Sequence, residues 1–122
     1  MPEKRILIVD DESSIRESLA EFLRDFGMDT MTSVNAEEAL KLLATESFNV
    51  LIVDLRLPGI TGDAMIPKAH KLQPNLRFLI HTGSIDYRLS GELISLGLTH
   101  DNIILKPLSD LTSLIDKIEK FF

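Results

Sequence analysis

Six polar residues of this 122-residue chain stand just where apolar runs end, and their types suit metal and phosphate chemistry. "ILIVDDE" closes on Asp10, Asp11 and Glu12, "VLIVD" on Asp54, "FLIHT" on Thr82 and "IILK" on Lys106. Each has a plain structural reading on its own. Acids ahead of a helix meet its dipole favourably, an aspartate starts a turn or a threonine bonds nearby backbone, and a lysine stem snorkels. Together they mean more, because carboxylates converging on one crevice repel strongly at low effective dielectric and require a cation or a proton. An oxygen-only donor set is hard and favours Mg²⁺ with some of its waters retained. Beside such an ion, a lysine can neutralise phosphoryl oxygens and a hydroxyl can donate to them. A free carboxylate can then act as nucleophile and form an acyl phosphate. Asp54 is the best candidate nucleophile because it stands alone beside the flexible "LRLPGITG" loop, whereas Asp10 and Asp11 are adjacent, as ligands would be.

The elements that must bring these residues together are legible in the hydrophobic pattern. Ile6–Val9, Val50–Val53, Phe78–Ile80 and Ile103–Leu105 are continuous apolar runs, the mark of strands covered on both faces. "MDTMTSV" is a more polar strand, suited to a sheet edge. Between the strands lie five stretches of helical period. The first runs from a cap at Ser13 or Ser14 to a stop at Gly27, and the second, "AEEALKLLATE", is capped by Asn35. The third spans about Gly62 to Leu72, where Pro67 predicts a kink or a late start. The fourth spans about Asp86 to Leu96, weakened by Ser90 and Gly91, and the fifth runs from Ser109 to the end with Leu111, Leu114, Ile115 and Ile118 on one stripe. Five strand–helix repeats with right-handed crossovers predict a doubly wound (βα)5 α/β sandwich of flavodoxin-like type, with a parallel five-stranded sheet in the order 2-1-3-4-5. In such sheets a ligand sits beyond the carboxyl ends of the strands, where the order reverses, here between strands 1 and 3.

Composition narrows the class. Residues 1–122 suit a single domain with a real core, with 44% apolar and 26% charged residues. A net charge of -6 argues against direct nucleic-acid binding by a broad basic surface. The absence of cysteine suits a reducing cytosol, and the start of the chain lacks a signal-peptide pattern. Apolar runs of about four residues fall far short of a membrane span. A cytoplasmic protein is the expectation.

The motifs resemble the receiver domain of two-component response regulators over nearly the whole chain: "ILIVDDE", "VLIVDLRLPGITG" with its D-x-x-x-P-G-x-x-G spacing, "FLIHTGS" and "IILKPL". The resemblance implies that Asp54 accepts a phosphoryl group from a histidine on a sensor kinase or phosphotransfer protein. Asp10 and Asp11, with Asp54 and the backbone carbonyl of Arg56, would hold Mg²⁺, and Thr82 and Lys106 would contact the phosphoryl group. The Lys106–Pro107 peptide is often cis in such domains. The face formed by helix 4, strand 5 and helix 5 would then change and control a partner or an output domain. Such a chain is a phosphoacceptor switch, catalysing only its own phosphorylation and dephosphorylation. Arg56 and Ser84 occupy positions that tune phosphoryl lifetime in the family.

Two departures from the family pattern stand out. Ile103 occupies the position of the usual aromatic switch residue, and "GLTHDNIILK" is about two residues longer than usual. Gly91 would ease rearrangement of helix 4, or is simply a tolerated surface glycine. His81, aimed away from Thr82 by strand alternation, is expected as a satisfied, partly buried core histidine, with His70 and His100 at the surface. Phe121 and Phe122 suit burial back on the domain, a homodimer face or continuation into a linker helix. Two alternatives carry different predictions. A haloacid-dehalogenase-type phosphatase expects a second acid two residues after the nucleophile, but Asp54 is followed by Leu55 and Arg56. A phosphorylation-independent interaction module of the same fold would leave all five receiver positions idle.

Overall fold

In the computed structural model, residues 4–106 and 110–122 are described. The chain alternates strand and helix: β1 (Arg5–Val9), α1 (Ser13–Asp25), β2 (Asp29–Ser33), α2 (Ala36–Thr45), β3 (Val50–Asp54), α3 (Gly62–Leu72), β4 (Arg77–Thr82), α4 (Gly91–Ser95), β5 (Ile103–Leu105) and α5 (Leu111–Glu119). The sheet is parallel throughout in the order β2-β1-β3-β4-β5, as the sequence predicts.

The continuous apolar runs conceal a period of two, because successive side chains point to opposite faces of the sheet. Leu7, Val9, Leu51, Val53, Phe78 and Ile80 face the α2–α3–α4 side, where they meet Ala39, Leu43, Met65, Ile66 and Leu93. Ile6, Ile8, Val50, Ile52, Leu79 and Ile104 face the opposite side and pack on Leu19, Leu23, Leu114, Ile115 and Ile118 of α1 and α5. Burial on both faces fixes the register, since a slip of one residue would swap the two cores. Truncating a fully buried Leu51 or Ile52 to alanine would cost about 2–5 kcal/mol.

Several local expectations are met. Gly27 ends α1 with φ of +83°, a left-handed conformation, and Asn35 caps α2 by accepting the Glu38 N–H at 2.8 Å. Helix α3 spans Gly62–Leu72 as expected, but without the late start that Pro67 predicts, because the helix runs through that residue. Three others are corrected. Neither Ser13 nor Ser14 caps α1: the N-cap is Glu12, whose side chain makes no capping bond, and the turn is instead held by Asp10, whose Oδ1 accepts the Glu12 N–H at 2.9 Å. Helix α4 covers only Gly91–Ser95 rather than Asp86–Leu96, because Ser90 is its N-cap, accepting the Leu93 N–H at 3.2 Å. Helix α5 begins at Leu111, with Asp110 as its cap.

The long segment before β5 is accommodated by one 3₁₀ turn over His100–Asn102. Thr99 and Asn102 cap it reciprocally, and Asn102 Nδ2 ties it to the Phe78 carbonyl at 2.8 Å. Phe121 packs on the α1–α5 core, while Phe122 remains 45% exposed. No helix among the described residues is long and apolar enough to cross a membrane.

Candidate functional site

The parallel register delivers the polar strand ends to one edge of the sheet. Val9 lies opposite Val53, Asp54 opposite His81, and Thr82 opposite Leu105, so Asp10, Asp54, Thr82 and Lys106 emerge at nearly the same level. The Lys106 N–H donates to the Thr82 carbonyl at 2.7 Å, extending the pairing one step past β5. Asp10, Asp54 and Thr82 are only 2%, 6% and 2% exposed.

Lys106 is the hub. Its ammonium donates to Asp54 Oδ2 at 3.1 Å and Asp10 Oδ2 at 3.2 Å, and lies 3.5 Å from Glu12 Oε1. One cation therefore serves three carboxylates. Burial pushes the Asp54 carboxyl above the ordinary range, and the Arg56 N–H and the Lys106 ammonium offset this only in part. For Lys106, burial alone would lower the ammonium, yet its hydrogen bond to Asp54 and the charges of Asp10 and Asp54 outweigh that and raise it.

Asp11, Glu12, Asp54, Arg56, Thr82 and Lys106 line a cavity of about 380 Å³ at this edge. Asp54 Oδ1 accepts the Arg56 N–H at 3.1 Å, and Thr82 Oγ1 accepts the Ser84 N–H at 3.1 Å, so each side chain shapes the loop that follows it. Helix α3 seals the site from behind: a Cβ on Gly62 would lie 2.1 Å from the Asp54 carbonyl oxygen. Only glycine permits that approach.

The structure thus gathers Asp10, Asp54 and Lys106 in direct contact and sets Asp11, Arg56 and Thr82 around the same cavity. Glu12 is the residue that sequence reasoning left off the ligand set. Oxygens of Asp10, Glu12 and Asp54 all lie within 4.8 Å of one another, a cluster that Asp11 does not join. The signal was available in the third acid of "DDE", which stands at the same strand end as Asp10 and Asp11. Two oxygens on one octahedral Mg²⁺ are about 3–4 Å apart, from Mg–O distances of about 2.0–2.1 Å. The cluster therefore fits such an ion after a small contraction, and its oxygen-only chemistry suits a hard divalent cation.

His81 departs from expectation. It is buried, 4% exposed, but not satisfied: Nε2 has no hydrogen-bond partner among the described residues. Burial, helped by the charge of Lys106 and opposed by Asp10, lowers its pKa from 6.5 to about 4. Alternation told which way the ring points, but not what it would meet. His70 is half-buried and His100 exposed. The Lys106–Pro107 peptide and Ser109 involve residues outside those described.

A doubly wound parallel sheet with a buried acid pair and a lysine at the carboxyl edge of its strands defines a phosphoacceptor class of fold. The response regulator receiver domain family matches residues 6–119, and the chain belongs to that family. It is 30% identical over 122 residues to sporulation initiation phosphotransferase F of Bacillus subtilis (strain 168), covering 99% of this chain and 95% of that protein. Among solved structures it resembles a CheY-like response regulator receiver domain protein from Methanospirillum hungatei JF-1, with 32% identity and a TM-score of 0.80 over 98% of this chain and 93% of that one. It also resembles the response regulator protein TrrA from Thermotoga maritima in complex with Mg²⁺ and BeF, with 30% identity and a TM-score of 0.81 over 98% and 99% of the two chains. Other curated relatives are longer, and the chain spans only 34% and 44% of two of them.

Proposed function

We propose that residues 1–122 form one receiver unit, a Mg²⁺-dependent switch of two-component phosphorelay signalling that accepts a phosphoryl group on Asp54. The donor is a phosphorylated histidine on a sensor kinase or phosphotransfer protein. An Asp54 carboxylate oxygen attacks the phosphorus, the phosphorus–nitrogen bond breaks, and the imidazole leaves with the electron pair. Asp10, Asp11 and Asp54 with the Arg56 carbonyl would hold the metal, and Glu12 would add a carboxylate to the same cluster. Mg²⁺, when bound, supplies charge neutralisation for the phosphoryl oxygens and the carboxylates around them. Lys106 then turns its ammonium from the carboxylates to the phosphoryl oxygens, and the Thr82 hydroxyl donates to them.

The observation that carries this reading is the convergence of Asp10, Glu12 and Asp54 on the single Lys106 ammonium at the carboxyl edge of the sheet. Phosphorylation adds about one further negative charge and strong acceptor oxygens, so a conformation that brings Thr82 and Lys106 onto them is favoured. The α4–β5–α5 face transmits that shift to a partner or an output domain in the cytoplasm, with no direct nucleic-acid contact. Phosphotransfer from a labelled histidine donor tests both the role and its limits. One phosphoryl group per chain is expected, held at Asp54; steady turnover of a phosphomonoester would instead mark an enzyme.

A further inference from the structure

We infer that Arg16 is a positioning residue for the acidic turn, holding Asp10–Glu12 in the geometry the metal cluster needs. The inference rests on the reading of that turn as metal-binding. Helix α1 lacks the usual side-chain cap, because Glu12, its N-cap, directs its carboxylate to Lys106 instead. The Asp10 Oδ1 bond to the Glu12 N–H holds the turn from within, and a second contact braces it from outside. Arg16 supplies it: its Nη1 donates to the Asp10 carbonyl at 2.9 Å, while its backbone N–H makes only the ordinary helical bond to the Glu12 carbonyl at 2.9 Å.

With that contact, every polar atom of Asp10 has one partner. Its N–H donates to the Ser33 carbonyl at 3.2 Å, its carbonyl accepts from Arg16, Oδ1 accepts from the Glu12 N–H, and Oδ2 accepts from Lys106. The guanidinium is held over the turn, with its side chain only 13% exposed and Nε 3.4 Å from Glu17 Oε1. Removing it leaves the carbonyl of a residue 2% exposed without its donor. The turn then has to move to find another, and Asp10 and Glu12 move with it. Outer contacts of this kind typically alter metal affinity by about tenfold to hundredfold.

The test compares wild type with Arg16→Met, which keeps most of the apolar stem, and Arg16→Lys, which keeps a donor. Mg²⁺ affinity by calorimetry should weaken about tenfold or more in Arg16→Met, and Arg16→Lys should recover most of it. In metal-free protein, amide hydrogen exchange at Glu12 should accelerate in Arg16→Met while Ala20 and Leu23, deep in the same helix, stay protected. A merely structural arginine would lower thermal stability and leave both readouts unchanged. Arg16→Met binding Mg²⁺ within twofold of wild type, or keeping Glu12 protected, overturns the inference. Wild-type protein that takes up no Mg²⁺ overturns the metal reading itself, and the inference with it.

Discussion

Lys106 and any divalent ion compete for the same oxygens. Its ammonium already touches Asp10 and Asp54 and approaches Glu12, and two like charges about 4 Å apart repel by about 1 kcal/mol per charge pair even in water. Lys106→Met should therefore bind Mg²⁺ about tenfold more tightly than wild type, while losing the contact that stabilises a phosphorylated Asp54. Equal or weaker binding, measured by calorimetry, would refute the shared-oxygen geometry. His81 makes a separate prediction. Its folded-state pKa of about 4 lies below the ordinary 6.5, so between these values the unfolded chain binds the extra proton and stability falls as pH falls. The stability it contributes is fully present above pH 6.5 and lost towards pH 4, about 3 kcal/mol at about 1.4 kcal/mol per pH unit. His81→Phe also removes the unpartnered Nε2, so denaturation midpoints should show the variant gaining on wild type as pH drops through that window. Parallel curves would contradict it.

At the scale of elements, the packing of α3 against the end of β3 sets where Asp54 stands. Gly62→Ala would put a methyl 2.1 Å from the Asp54 carbonyl and force the two elements apart. The expected result is a loss of about 1–3 kcal/mol in stability and phosphorylation slowed about tenfold to hundredfold through displacement of the nucleophile. Phosphorylation at the wild-type rate would show that Asp54 does not depend on this contact. The β4–α4 segment offers its own reporter, because Tyr87 is the only tyrosine and the chain has no tryptophan. Its hydroxyl is buried without a partner among the described residues, and its N–H reaches the Ser84 carbonyl at 3.4 Å, next to the Thr82–Ser84 turn. On the proposed role of Thr82, turning towards a phosphoryl group would release that turn, so tyrosine emission should change when Mg²⁺ and beryllofluoride are added, and not in Asp54→Asn. The same segment shows where sequence reading falls short. Continuous apolar runs and helical stripes specify the sheet and its order, because burial on two faces leaves few alternatives. The start of α4 turns on one hydroxyl, Ser90 Oγ, and that of α1 on the carboxylate of Asp10, just past the end of β1. Such competition between local bonds has no periodic signature.

For the molecule as a whole, the fold is two apolar cores on a parallel sheet, and the chemistry is confined to one edge of it. Four strand ends were readable as one constellation because parallel pairing aligns carboxyl ends; Glu12 was harder, since an exposed acid at a helix start has an ordinary role to play. The same architecture makes the account simple to challenge. Intact mass spectrometry of the protein incubated with acetyl phosphate, with and without Mg²⁺, tests it most directly. Wild type should gain the mass of one phosphoryl group only when Mg²⁺ is present, and Asp54→Asn should gain none. A wild-type mass that stays unchanged with Mg²⁺, or an equal gain in Asp54→Asn, would contradict it.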